Sequence, residues 1–227
     1  MLNEVLWFVS LLLTLGMVLV FYRFFGRVGL HVSIVLSIVL CNIEVLKQVR
    51  LFGINTTLGN TLYASIFLAT DMLGEFYGKK EARRGVILGF LAMFLAAVHM
   101  TFAVNYAPSD FDTAHAPLKA VFGLVPGIAF ASLAAYVASQ YHDVVIYDVI
   151  KRKTKGRHLW LRNNASTMLS QLIDTAVFTT IATMFGVFPL AAAPEIFLTA
   201  YFFKLVVAVL DTPFIYLALF FKPRERE

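Results

Sequence analysis

Long apolar runs, separated by short gaps that hold most of the basic residues, constrain this chain more than any other feature. Four of those gaps are basic: Arg23 to Arg27, Lys79 to Arg84, Lys151 to Arg162 and Lys222 to Arg226. They recur after every second apolar run, the pattern expected when alternate loops stay in the cytoplasm with their positive charge. The expected fold class is an all-α polytopic membrane protein, a bundle of about seven transmembrane helices. The helices are expected at about 4–24, 29–47, 58–78, 84–106, 119–150, 163–188 and 194–221. The fifth and seventh exceed what one crossing needs, so each is expected to tilt, break or overrun the interface.

Composition supports the same class. Hydrophobic residues fill 59% of 227 positions and charged ones 15%, against about 25% charged in soluble domains. Mean hydropathy is +0.77. That length leaves room for roughly seven spans of ~20–25 residues and little else. One transmembrane domain over 1–227 is therefore expected, in a multi-pass protein of the cell membrane (the inner membrane in a Gram-negative source). Met1 to Glu4 lacks the basic start of a signal peptide, and the first run continues without a cleavage site, so a retained helix is expected.

Charge placement predicts orientation. Fifteen of the 19 Lys and Arg lie in the four clusters, while Lys47, Arg50 and Lys119 lie in the alternate loops and Lys204 lies within a run. The N-terminus is expected outside and the C-terminus in the cytoplasm. The net charge of +5 is thereby assigned to topology and to the headgroups of the lipid bilayer, with no nucleic-acid partner. The lone cysteine, Cys41, can form no intrachain disulfide. Segment 107–118, with two acids and two prolines, reads as an irregular outer loop. Segment 48–57 is turn-prone and able to dip into the membrane.

Ionisable groups at membrane depth cost about 2.5–3.5 kcal/mol each on insertion scales and are functional candidates by default. Asp71 and Glu75 stand four apart on one helical face, with an interfacial pair to Lys79 as the plain reading of Glu75. Gln171 and Asp174 stand three apart near mid-helix. Lys204 and Asp211 share a face of the last run. Asp174 is too deep to reach water by extension, so it needs a polar cavity or a cation. Lys204 lies at compatible depth, which suggests either a structural pair or one bridged by substrate or proton. Asp211 precedes Thr212-Pro213, where a break is expected, of the kind that lines transporter cavities. Asn42 and Glu44 lie near the outer end of the second run. His99 reads as a packing residue, and Asp143 and Asp148 as interfacial salt-bridge partners. Ala131, Ala135 and Ala138 suit close helix approach, and secondarily contact with another subunit of a homo-oligomer.

Enzyme signatures are missing: there is no GxSxG, HExxH, P-loop or Cys/His cluster. No cofactor or metal is implied. A solute carrier with this sequence would draw on a gradient, on downstream trapping or on a partner.

Three stretches carry a family likeness. They are Ile66 to Lys80 with Ala82-Arg83-Arg84, Leu159 to Thr167 running into Ser170 to Thr175, and Phe203-Lys204 with Leu210 to Pro213. Cys41-Asn42 and Thr56 to Gly59 fit the same pattern. Together they resemble the queuosine precursor transporter family, also called the vitamin uptake transporter family, over a core of 33–221. Residues 1–28 look like an extra N-terminal helix carried by some members.

The resemblance implies import of small-molecule 7-deazaguanine bases, 7-cyano- and 7-aminomethyl-7-deazaguanine, with queuine as a further candidate. Transport would be gradient-driven or facilitated. The family is also similar in outline to substrate-binding subunits of energy-coupling-factor transporters, which need an ATPase partner; a small intramembrane enzyme is the remaining alternative. A deazaguanine presents N1–H beside a 2-amino group, a donor pair that one carboxylate accepts in bidentate fashion. Asp174 or Asp71 would read that edge, Gln171, Asn42 and Asn163 would complete it, and Lys204 would meet O6. Phe67, Phe178 and Tyr201 are candidate stacking partners. Arg162 to Asn164 with Ser166 and Thr167 form either a polar cap or a cytoplasmic gate. Asn42, Asp71, Glu75, Asn163, Gln171, Asp174, Lys204 and Asp211 are the candidate substrate-binding residues.

Overall fold

The computed structural model describes the backbone of residues 2–154, 159–210 and 212–220; side chains at 140, 143, 144, 147, 148, 151, 159–167, 208, 209, 212 and 215 lie outside the description. Eight helical segments and one two-stranded hairpin follow in the order α1 (Leu2–Glu44), β1 (Gln48–Leu51), β2 (Ile54–Thr57), α2 (Gly59–Tyr77), α3 (Lys79–Ala103), α4 (His115–Phe122), α5 (Val125–Lys153), α6 (Leu159–Met184), α7 (Ala193–Leu210) and α8 (Thr212–Phe220). The chain is a polytopic helical membrane protein. Leu2–Glu44, Lys79–Ala103 and the stretch His115–Ser139 are each long and apolar enough to cross a bilayer.

The first two expected helices form the single segment α1, which turns back on itself at Gly26. There φ is 53° and ψ is −130°, a conformation that glycine adopts without steric penalty. The reversal is visible in what the two ends touch. Asn3 Nδ2 donates to Arg50 O at 3.2 Å, and Phe52 N donates to Glu4 Oε1 at 3.2 Å. The start of α1 therefore lies beside the segment that follows its end. Trp7, Leu11, Leu15, Val18, Leu19 and Tyr22 are buried along the first half, so residues 2–25 pack into the main core with α2 and the second half of α1.

Segment 48–57, read as turn-prone, is a tight antiparallel hairpin. Leu51 pairs with Ile54 across a two-residue loop. Phe52 and Gly53 both have positive φ, 51° and 82°, as a type I′ turn requires. The strained Phe52 ring is held edge-on against Trp7 and Phe8. The fifth expected helix is divided into α4 and α5; in the seventh, residue 211 between α7 and α8 lies outside the described residues, and with it the break expected at Asp211.

Packing is close where side chains are small. Gly85, Gly89, Met93 and Ala97 form the buried stripe of α3. A Cβ built at Gly89 would lie 2.2 Å from Ile38 Cδ1, so α3 meets the second half of α1 through its glycines. Ala131 and Ala135 of α5 are buried, and Ala131 shares a core cluster with Ala182 of α6.

The loops fall into two sets. The N-terminus, the hairpin and the start of α7 share contacts at one end, called here the hairpin face. At the other end Glu81, opening α3, draws in Arg27 (3.9 Å), His31 (3.3 Å) and Arg84 (3.6 Å); this is the basic face. Of the four basic clusters, 23–27 and 79–84 meet at this end, through Arg27 and Arg84.

Candidate functional site

Between these faces α2, α6 and α7 bring three polar side chains together. Asp174 lies ten residues before the end of α6 and Lys204 eleven past the start of α7. At 1.5 Å per residue that is about 15 and 17 Å below the hairpin face, so the two are level. Lys204 Nζ lies 2.5 Å from Asp174 Oδ2. Both residues are buried, at 8% and 9% exposure. Away from water an unpaired charge costs several kcal/mol, and pairing is what makes either tenable.

Tyr63 of α2 completes the group. Its hydroxyl donates to the same Oδ2 at 3.2 Å, and Lys204 Nζ sits 4.4 Å from its ring centroid. One aromatic residue thus stabilises the carboxylate through its O–H and the ammonium through its π face. Phe67, one turn along, meets Tyr63 edge-on with centroids 4.7 Å apart. Gln171, one turn from Asp174, keeps a buried Oε1 with no hydrogen-bond partner among the described residues, and so does Thr179 at its Oγ1. Among the described residues both contacts to Asp174 fall on Oδ2. The centre thus holds one shared charge pair, free acceptors and an aromatic wall.

The hairpin sets the height of Tyr63. Glu195 accepts from Asn55 N at 2.9 Å and from Asn55 Nδ2 at 3.0 Å, while Thr199 Oγ1 donates to Asn55 O at 3.2 Å. β2 is therefore clasped to the first turns of α7. From there α2 runs alongside α7, and Tyr63 arrives at Lys204. Gly59 lets α2 start tight against α1: an added Cβ would sit 2.9 Å from Cys41 O, whose Sγ donates to Gly59 O at 3.2 Å.

Of the expected site residues, Asp174 and Lys204 come together, and Gln171 lies one turn from Asp174 on α6. Asn42 is buried but engaged elsewhere: its Nδ2 donates to Ile38 O at 2.7 Å, and its Oδ1 accepts from Ser132 of α5 at 2.5 Å. Its role in the structure is to tie α1 to α5. Asp71 and Glu75 are both exposed, and no described contact joins them to the pair. No ion pair between Glu75 and Lys79 is present among the described residues. The side chains of Asn163 and Asp211 lie outside the described residues. Of the candidate stackers, Phe178 packs against Phe188, and Tyr201 donates to Met168 O at 3.3 Å. Tyr63 was not foreseen; its spacing of four from Phe67 and eight from Asp71 was the available signal. A cavity of about 440 Å³ between α3 and α5 is lined by Phe90, Phe94, Phe130 and other mostly apolar residues. It shares no residue with this centre.

Residues 57–218 match the family described as "Putative vitamin uptake transporter". The chain belongs to this family. It is thus a membrane transporter and not an enzyme. Similar proteins include a "Probable queuosine precursor transporter" of Bacillus subtilis strain 168, 39% identical over 96% of this chain and 95% of that protein. The "Queuosine precursor transporter" of Escherichia coli K12 is 30% identical over 74% of each. A "Probable queuosine precursor transporter" of Haemophilus influenzae is 29% identical over 70% of this chain and 66% of that protein. No solved structure matches.

Proposed function

We propose that this transporter imports queuosine precursors, 7-cyano- and 7-aminomethyl-7-deazaguanine, by gradient-driven or facilitated passage, with the basic face in the cytoplasm. The observation that carries the reading is the buried Asp174–Lys204 pair braced by Tyr63. A deazaguanine presents O6, N1–H and the 2-amino group along one edge. O6 accepts from Lys204 while the two donors go to the Asp174 carboxylate, so the base enters the pair without leaving either charge unpaired. Gln171 Oε1, one turn away, accepts a remaining amino proton. Phe67 and Tyr63 supply aromatic surface for the heterocycle. The burial of Trp7, Leu11 and Leu15 in the main core supports reading the N-terminal helix as part of the same transmembrane domain.

Uptake of labelled 7-cyano-7-deazaguanine by the purified protein in liposomes tests this reading. Accumulation that excess unlabelled 7-aminomethyl-7-deazaguanine blocks is the expected result. Binding without uptake would identify a capture subunit that needs an ATPase partner. Neither binding nor uptake would remove these bases as substrates.

A further inference from the structure

We infer that His31 and Glu81 form a proton-binding site at the basic face, in which one proton joins the second half of α1 to the first turn of α3. The pair shares no residue with the Asp174–Lys204 centre. His31 Nδ1 lies 2.9 Å from Arg27 O, and a carbonyl oxygen can only accept, so Nδ1 carries a hydrogen and donates it. The other ring nitrogen, Nε2, lies 3.3 Å from Glu81 Oε2. Both Nε2 and Oε2 are buried, and neither has a hydrogen-bond partner among the described residues. A neutral ring with its hydrogen on Nδ1 would turn the Nε2 lone pair toward a carboxylate oxygen. Two acceptors would then face each other away from water with no donor between them, each paying its desolvation without return. A proton on Nε2 removes the conflict and makes the contact an imidazolium–carboxylate pair.

The surroundings decide which of the two atoms holds the proton. The other oxygen of Glu81, Oε1, has Arg84 at 3.6 Å and Arg27 at 3.9 Å. Two cations beside a carboxyl group favour its ionised form, so the proton belongs to Nε2. Both arginine side chains are more than half exposed, and water screens their repulsion of the imidazolium. What α2 brings to the same place is apolar. A Cβ at Gly85, one turn beyond Glu81, would lie 3.1 Å from Leu73 Cδ1, 2.7 Å from Ile34 Cδ1 and 3.4 Å from His31 Cδ2. The absent side chain lets the His31 ring lie close against α3 with apolar neighbours. The other charged groups toward this end are Arg23 on α1, Asp71 and Glu75 on α2, and Lys79, Lys80 and Arg83 on α3; all but Arg23 are exposed. From α5, Tyr136 lies against Phe90 and toward Arg83.

Without the proton the contact between α1 and α3 turns from attraction to a clash of lone pairs. Folding takes this proton up, so its contribution to stability is present in acid and falls as pH rises through about 5 to 8, the range in which histidine changes charge. The test compares melting temperatures of the purified wild type and Glu81→Gln in detergent at about pH 5 and about pH 8. A glutamine amide donates to the Nε2 of a neutral ring, so the variant needs no proton there. Between the two pH values the wild type is expected to lose about 2–4 °C more than Glu81→Gln. The other histidines are the same in both proteins and cancel. Equal losses in the two proteins overturn the assignment. A second measurement leaves the pair untouched: 15N NMR of ring-labelled protein in which His99, His115, His142 and His158 are replaced by Gln. At neutral pH both ring nitrogens of His31 are expected to give the signal of a protonated nitrogen. A nitrogen with a free lone pair overturns the assignment.

Discussion

The two ends of α2 differ in how their polar groups are satisfied. At the hairpin end Asn55 is bonded to Glu195 and Thr199, Cys41 to Gly59, and Tyr63 to Asp174, with its ring beneath Lys204. Toward the basic end the same helix carries Asp71 and Glu75, both exposed and unpaired among the described residues. Paired groups hold helices together, because breaking a pair leaves a buried polar atom uncompensated. Unpaired carboxylates do the opposite and keep their surroundings wet. The contrast separates a region held by partnered polar groups from one that carries exposed carboxylates.

The largest effect that would break this comparison comes from removing Lys204. Lys204→Ala leaves Asp174 buried without its cation, a loss of about 3–5 kcal/mol. A lower melting temperature in detergent and no uptake are expected. The double variant Lys204→Ala/Asp174→Ala is expected to regain stability without regaining uptake. A single variant as stable as the wild type would show that the pair does not hold this region together.

A smaller change sharpens the account of the partnered region. Glu195→Ala removes both acceptors of Asn55, at about 0.5–1.5 kcal/mol per hydrogen bond or less where exposed. Cys41 bonds Gly59 O, two residues past the hairpin, and is the chain's single cysteine, which makes it a built-in reporter. Its reaction with a membrane-permeant maleimide is expected to quicken by roughly the matching factor, up to about tenfold. An unchanged rate would mean that the buried Leu51, Thr56 and Thr57, rather than the clasp, hold the hairpin down.

The smallest expected effect is that of Tyr63→Phe. The ring under Lys204 remains and only the hydroxyl bond to Asp174 is lost. Binding is expected to weaken between about twofold and tenfold, as one hydrogen bond of about 0.5–1.5 kcal/mol allows. A loss as severe as that of Lys204→Ala would make Tyr63 an equal member of the charge centre instead of its brace.

Much of this architecture was legible before any contact was known. Apolar length must match bilayer thickness, and basic residues resist translocation. The runs and the alternation of loops therefore followed from composition along the chain, and Asp174 and Lys204 stood out because charge at that depth needs a reason. Other features depend on residues distant in the chain. That Asp174 pairs with Lys204, thirty residues on, required α6 and α7 to align in depth. Tyr63 enters only because the hairpin is clasped to α7 and fixes the height of α2. That Asn42 bonds Ser132 could not be read from its neighbours in sequence, since an amide's partner is set by whichever helix packs beside it. Local hydrophobicity and charge determine which segments cross the membrane and where polar groups lie along them. Only tertiary packing decides which of those groups meet, because hydrogen bonds and ion pairs act over about 3 Å and sequence spacing does not reach across helices.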